Sequence, residues 1–170
     1  MENQSETMNP AVKLEDCLKD SRILITSCLG VGFVKYAPGT FGSIFGALFL
    51  SIFTFFEFPK LFLAPFFIML LVISSFLTQR VLDYYKVEDP SWIVIDEFLG
   101  IYLGFMIYQG HKISELILLF IFFRFFDILK PWPISAADQI KTGFGVILDD
   151  LIAGVFAGLC VIATAKIFAL

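Results

Sequence analysis

The fold is decided by the last apolar segment, residues 146–168, which reads VILDDLIAGVFAGLCVIATAKIF. It is long enough to cross a bilayer, because about 20 apolar residues in a helix span the hydrocarbon core. Asp149 and Asp150 stand near its beginning, where we expect the first turn of the helix. Asp150, Gly154 and Gly158 recur at intervals of four, and stripes of small residues let membrane helices approach closely. The segment therefore predicts a membrane helix that packs against other helices and carries carboxylates at one end.

The composition of the whole chain agrees with a membrane protein. Of its 170 residues 58% are hydrophobic and only 16% are charged, 22 are Phe, and the mean hydropathy is +0.86. Soluble domains are usually about 45–50% apolar and about 25% charged, so lipid must solvate much of this chain. The net charge of −4 gives no reason to expect a nucleic-acid partner. Three widely spaced cysteines form neither a metal-ligand pattern nor a disulfide framework.

The apolar segments predict an all-α fold, a polytopic bundle of transmembrane helices with about five spans. Helices satisfy their backbone polar groups internally, as lipid requires. We place the spans at about 41–57, 61–79, 93–109, 114–129 and 146–168. Residues 23–34 are apolar but too few to cross, and are predicted to form a re-entrant or interfacial helix. Residues 1–22 are predicted to be a polar N-terminal arm that could rest on the membrane surface, and 23–170 a single membrane-embedded catalytic domain.

The basic residues indicate how the bundle is oriented. Most lie in connections that five spans would place on one side of the membrane, namely Lys13, Lys19, Arg22, Lys35, Arg80, Lys86, Lys130 and Lys141. The opposite connections contain only Lys60 and Lys112, although Lys166 departs from the pattern. Because cytoplasmic connections carry an excess of Lys and Arg, the first side is predicted to be cytoplasmic.

Acidic side chains from three segments should gather at that cytoplasmic side. They are Asp96, Glu97, Asp127, Asp149 and Asp150. One acidic pair could simply favour the positive end of a helix dipole. Five carboxylates together would repel one another, however, and a divalent cation resolves that repulsion. Oxygen ligands without histidine or cysteine favour Mg²⁺ over zinc, so the sequence predicts a magnesium site.

Two basic residues and one loop beside these acids have two interpretations each. Arg124 and Lys130 either pair with Asp127, three residues from each, or hold a phosphate. The loop from Ala37 to Ser43 either ends in an ordinary helix cap, made by Thr40 or Ser43, or binds a phosphate on its backbone N–H groups. Taken alone, the cap is the simpler interpretation of the loop.

Four blocks of the sequence together resemble one family. They are APGTFGS at 37–43, DEFLG at 96–100, FRFFDILKPWPI at 123–134 and GFGVILDDLIAG at 143–154. In their order and spacing they resemble the phosphatidylglycerophosphatase A family over roughly residues 25–165. The resemblance implies a Mg²⁺-dependent lipid phosphatase of the bacterial inner membrane that converts phosphatidylglycerophosphate to phosphatidylglycerol.

With that activity in view, each candidate residue takes a role. Asp96, Asp127, Asp149 and Asp150 become the catalytic candidates, and with Glu97 they are the expected metal ligands. Arg124, Lys130, Gly39, Thr40 and Ser43 become the expected phosphate-binding residues. The rest of the sequence excludes several other phosphatases, because it contains one histidine, His111, no Cys followed by five residues and then an Arg, and no Asp-x-Asp. The alternative is a small ion-coupled transporter, which should place its acids near the middle of the bilayer.

Overall fold

The structure is a computed structural model that describes residues 12–56, 59–108 and 112–168. Within these ranges the chain is all-α and contains no strand, as predicted. Seven α-helices follow one another: α1 (Ser21–Thr26), α2 (Pro38–Phe55), α3 (Leu63–Tyr85), α4 (Ile95–Tyr108), α5 (Ile113–Leu129), α6 (Ile134–Ala137) and α7 (Gly145–Phe168). Short 3-10 helices cover Leu14–Leu18, Val31–Phe33 and Lys60–Phe62. Each of the five segments predicted as a span is therefore a helix.

The helices differ in whether they could cross a membrane unaided. By length and composition α2, α3 and α7 are three candidate spans among the described residues. The helix α4 has 14 residues and α5 has 17. At 1.5 Å per residue these reach roughly 21 and 25 Å, less than the roughly 30 Å of a typical hydrocarbon core.

The prediction of one helix over residues 23–34 is wrong. The chain forms α1, then a turn, then the 3-10 helix that begins at Val31. Cys28, Leu29 and Gly30 in the turn have φ angles of 49°, 61° and 92°. A right-handed helix cannot continue through three successive left-handed residues, which is why the segment is broken.

This broken segment packs against the residues that lead into α4. The carbonyl of Thr26 accepts a hydrogen bond of 2.9 Å from the backbone N–H of Val94. The Cys28 Sγ lies 3.6 Å from the carbonyl oxygen of Val94. Residues 23–34 thus form an irregular wall that fixes where α4 begins.

The predicted N-terminal arm is described only from residue 12 onward. Leu14 and Leu18 are exposed, while Cys17 between them is buried. The helix α1 begins at Ser21, so it crosses the predicted boundary after residue 22. A contact of the two leucines with the membrane surface stays a prediction.

The helix α4 lies at the centre of the bundle, and glycines let α7 pack directly on it. A Cβ atom on Gly154 of α7 would collide with the carbonyl oxygen of Gly100 of α4. One turn further, a Cβ on Gly158 would lie 2.7 Å from the carbonyl oxygen of Gly104. The predicted small-residue stripe of α7 therefore faces another helix, as expected. This backbone contact places the first turn of α4 beside the first turns of α7.

The helix α2 packs on the opposite side of α4 in a similar way. A Cβ on Gly42 would lie 2.7 Å from the Cβ of Val94, and one on Gly46 would lie 3.3 Å from the Cα of Phe98. Tyr102, fully buried in α4, donates a hydrogen bond of 3.0 Å to the carbonyl of Leu63 at the start of α3. The helix α4 is thus held by contacts with α2, α3 and α7.

Candidate active site

Four helix ends meet around one polar cavity of about 300 Å³. They are the N-terminal ends of α2, α4 and α7 and the C-terminal end of α5. Seven carboxylates line it: Asp89, Asp96, Glu97, Asp127, Asp138, Asp149 and Asp150. Three cations line it as well: Arg124, Lys130 and Lys141. The predicted convergence of four distant segments is therefore what the structure contains, and the cavity has an excess of negative charge.

The acidic cluster at the bottom of the cavity consists of Asp96, Glu97 and Asp150. One carboxylate oxygen from each lies within 4.8 Å of the others. Asp96 and Asp150 are 8% and 4% exposed, so water does little to screen their repulsion. The second oxygen of Glu97, Oε2, is buried and has no hydrogen-bond partner in the described part of the chain. A buried carboxylate oxygen without a donor fits a cation, and an all-oxygen ligand set fits a hard divalent ion such as Mg²⁺.

The positions of these acids follow from the two helices that carry them. Asp96 and Glu97 lie in the first turn of α4, where the Glu97 N–H donates a 3.1 Å hydrogen bond to Asp96 Oδ1. The prediction that Asp149 and Asp150 lie in a first turn is wrong, because α7 begins at Gly145 and its first turn contains no acid. The helix dipole acts mainly in the first turn, so it does not account for this pair.

Arg124 is held by two partners at the side of the cluster. Its Nη1 lies 2.5 Å from Asp127 Oδ2 and donates a 3.4 Å hydrogen bond to the hydroxyl of Ser43. Ser43, fully buried, donates in turn to the carbonyl of Gly39 at 2.8 Å. The predicted pairing with Asp127 is therefore present, and a guanidinium still has further donors for a phosphate.

Lys130 has different partners from those expected. Its ammonium group does not pair with Asp127 but lies 2.8 Å from Asp149 Oδ2 and forms a second ion pair with Asp138. The backbone of Lys130 has φ of 43° at the end of α5, so its side chain leaves the helix face that carries Asp127. Burial alone would lower the pKa of Lys130, but the two carboxylates outweigh it and raise that pKa. The hydrogen bond from Lys130 lowers the pKa of Asp138, so the pair stays charged.

The loop before α2 differs in detail from its prediction. Neither Thr40 nor Ser43 caps α2, because the capping position is Ala37, whose side chain makes no hydrogen bond. Gly39 lines the cavity, and a Cβ there would collide with Glu97 Oε1. Thr40 is not among the lining residues, and its N–H donates to the Ala37 carbonyl at 2.9 Å. Gly39 thus lets the first turn of α2 touch the acid cluster.

Sequence reasoning missed Asp89, Ser91 and Asp138 as cavity residues. Asp89 and Ser91 come from the connection before α4, and Asp138 from the turn after α6. The only signal for them was that both connections were predicted to lie on the same side of the membrane as the acids. That signal does not say which residue of a connection turns inward.

Comparisons with known proteins agree on one family. A family model described as Phosphatidylglycerophosphatase A matches residues 24–165. A Haemophilus influenzae protein named "Phosphatidylglycerophosphatase A" is 33% identical over 141 residues, covering 82% of this chain and 86% of the relative. One of the same name from Escherichia coli is 31% identical over 136 residues, covering 79% and 77%.

Another relative has a different name. A Bacteroides thetaiotaomicron protein is 30% identical over 140 residues, covering 79% of this chain and 87% of the relative, and is provisionally named a phosphatidylinositol-3-phosphatase. No solved structure gives a significant match. The region matched by the family model contains the whole acidic cluster.

Proposed function

Because the chain belongs to the phosphatidylglycerophosphatase A family, we propose that it removes the terminal phosphate of phosphatidylglycerophosphate to give phosphatidylglycerol. It is a phosphoric monoester hydrolase that acts on a lipid. One structural observation carries the proposal beyond the family name. The Asp96–Glu97–Asp150 cluster, with its unpartnered Glu97 oxygen, lies in the same cavity as Arg124. A divalent cation held by the carboxylates and the guanidinium beside it would together neutralise the phosphate during hydrolysis of a phosphomonoester.

The proposed cofactor is Mg²⁺, held by Asp96, Glu97 and Asp150. When bound, such an ion neutralises phosphate charge and activates or orients the attacking water. Asp127 and Asp149, the other two expected ligands, hold Arg124 and Lys130 in this structure. We therefore assign to them the positioning of those two cations, and their role as metal ligands stays a prediction.

The chain's own groups have distinct tasks in the reaction. Arg124 donates to two oxygens of the terminal phosphate, while Ser43 and Asp127 keep its guanidinium in place. Lys130 adds a second positive charge, and the N–H group of Gly39 at the start of α2 favours an anion. A carboxylate outside the cluster takes the proton that the attacking water loses. The new P–O bond forms as the bond to the glycerol oxygen breaks, and that oxygen leaves with a proton from solvent.

For the membrane arrangement we propose about five spans in a single domain, residues 23–170, in the bacterial inner membrane. The shorter helix α4 is surrounded by other helices, so it needs little lipid contact of its own. The helix α5 exposes Ile117, Ile121 and Phe125 at intervals of four, a stripe that suits lipid. The cavity would open to the cytoplasm, as the Lys and Arg distribution predicts.

A transporter is not favoured. Its intramembrane acids should lie near the middle of the bilayer, along an ion path. Here Asp96 and Glu97 lie in the first turn of α4 and Asp150 in the second turn of α7. The acids therefore lie at one end of the bundle, where a headgroup rather than a transported ion would meet them.

The substrate can be tested with the purified protein in detergent micelles. Phosphate release would be measured from phosphatidylglycerophosphate, phosphatidylinositol 3-phosphate and phosphatidate with the same acyl chains and surface concentration. We expect the highest kcat/KM for phosphatidylglycerophosphate. Preference for the inositol lipid would replace the proposed substrate, and no release from any lipid would contradict a phosphatase.

A further inference from the structure

Lys141 is the one cation of the cavity that the reaction described above does not use. Arg124 pairs with Asp127, and Lys130 pairs with Asp138 and Asp149. Within the described residues Lys141 has no ion pair, although it lines the same cavity. Its side chain is exposed, whereas the acidic cluster is buried, so Lys141 lies at the mouth.

The loop that carries Lys141 is fixed to the bundle. The N–H of Gly143 donates a 2.7 Å hydrogen bond to Gln79 Oε1 of α3. A Cβ on Gly143 would also collide with the backbone of α3, so the loop lies directly against that helix. Two residues later, the N–H of Gly145 donates to Thr142 Oγ1 at 3.0 Å. Lys141 is therefore presented from a defined position.

The neighbours of Lys141 place it where lipid headgroups lie. Ile140 and Phe144 are 43% and 46% exposed, and Trp132 in the same connection between α5 and α7 is 82% exposed. Exposed apolar and aromatic side chains around a lysine are typical of a segment at the membrane interface. Lysines at that level attract the anionic phosphates of lipid headgroups.

We infer that Lys141 binds the phosphodiester of a lipid that carries two phosphates, while the terminal phosphate enters the end of the cavity at Arg124. The inference rests on the proposed function. In phosphatidylglycerophosphate the phosphodiester joins the headgroup to diacylglycerol, so it stays at the interface when the terminal phosphate is in the cavity. Phosphatidate has no such second phosphate. Lys141 is thus a specificity-determining residue that distinguishes lipids of these two kinds.

The two reaction products can be used to test the two ends of the site separately. Phosphatidylglycerol carries only the phosphodiester, and inorganic phosphate resembles only the terminal group. We would measure inhibition by each product in the wild type and in the variants Lys141→Met, Lys141→Arg and Lys86→Met. Lys86 is the matched control, because it is also exposed on the same predicted side of the membrane but does not line the cavity.

In Lys141→Met we expect the inhibition constant of phosphatidylglycerol to rise about fivefold, the effect of losing one exposed ion pair of about 1 kcal/mol. The constant for inorganic phosphate should not change, Lys141→Arg should resemble the wild type, and Lys86→Met should change neither constant. Unchanged phosphatidylglycerol inhibition in Lys141→Met overturns the inference. Equal weakening of both inhibitors also overturns the inference, because it indicates a long-range electrostatic effect of the lysine charge rather than a contact with the phosphodiester.

The same assay distinguishes the two proposals. If the wild type releases no phosphate from phosphatidylglycerophosphate, the proposed function fails and the role of Lys141 fails with it. If it releases phosphate normally but Lys141→Met does not affect phosphatidylglycerol, only the role of Lys141 is lost.

Discussion

Gly100→Ala should damage the active site although Gly100 binds nothing. A Cβ at this position would lie 2.6 Å from the carbonyl oxygen of Asp150 and 2.5 Å from Cε2 of Phe123. Ordinary contacts begin near 3.4 Å, so α7 must move away from α4 by roughly 0.8 Å, the difference between the two distances. Phe123 is fully buried, so its ring is surrounded by other residues. The movement occurs at Asp150 itself. Gly100 lies one turn of α4 away from Asp96, so both acids are close to the added methyl group.

The expected loss of activity is at least about tenfold, whereas the expected loss of stability is small enough for the protein to stay folded. Overpacking usually costs about 1–3 kcal/mol, and alanine is more favourable than glycine in a helix by about 1 kcal/mol, so the net loss of stability is between about 0 and 2 kcal/mol. A misplacement of about 1 Å at a reacting centre can lower the rate about 100-fold. We therefore expect kcat for phosphatidylglycerophosphate to fall between about 10- and 100-fold, measured at saturating Mg²⁺ alongside thermal unfolding in detergent.

Gly46→Ala is the matched control for this substitution. A Cβ on Gly46 would lie 3.3 Å from Cα and 3.4 Å from the carbonyl oxygen of Phe98, close to ordinary contact. It should leave kcat nearly unchanged and raise the unfolding temperature slightly, because alanine favours the helix. If Gly100→Ala keeps wild-type activity, or Gly46→Ala loses as much, the close packing of α4 on α7 does not hold the acids in place.

Three further predictions test other parts of the site and fold. Arg124→Lys keeps the positive charge but loses the planar guanidinium, so KM for phosphatidylglycerophosphate should rise about tenfold. The control Arg80→Lys lies outside the cavity and should leave KM unchanged. Equal KM values in both variants would exclude Arg124 from phosphate binding. Asp96→Asn should weaken Mn²⁺ binding, followed by electron paramagnetic resonance, by at least about tenfold, and unchanged binding would exclude Asp96 as a ligand. Glu88 precedes α4 and Ser114 follows it. If α4 crosses the membrane, Glu88→Cys and Ser114→Cys should react with an impermeant thiol reagent from opposite sides of sealed vesicles. Labelling of both variants from the same side would refute five spans.

The sequence predicted the helices and the meeting of their acids, because both depend on periodic patterns. The apolar segments predicted the five long helices, and the four-residue spacing of Asp150 with Gly154 predicted which side of α7 packs against other helices. The pairing of Arg124 with Asp127, three residues away on one helix, was one of the two interpretations that the sequence offered, and the structure contains it. In each case the contact follows from the spacing of residues along a regular helix, and this spacing can be read from the sequence.

The parts that the sequence did not predict depend on irregular backbone. Left-handed residues at Cys28 and Leu29 break the first apolar segment, and neither residue type signals that conformation. Lys130 also has a positive φ, and its partner Asp138 lies in a connection whose path is set by tertiary packing. The sequence placed Lys141 on the same predicted side of the membrane as the acids, but not at the mouth of the cavity. Contacts between loops of this kind have no period in the sequence.

The central claim is that the buried carboxylates of α4 and α7 support phosphatase activity through a divalent cation. The most direct test is phosphate release from phosphatidylglycerophosphate by protein stripped with a chelator and then titrated with Mg²⁺, for the wild type, Asp150→Asn and Asp83→Asn. Asp83 is an exposed acid outside the cavity, so its variant should behave as the wild type does. We predict no release without the ion, full recovery with Mg²⁺ in the wild type and Asp83→Asn, and at least about 100-fold less in folded Asp150→Asn. Release that persists in the chelator, or normal turnover by Asp150→Asn, would contradict the account.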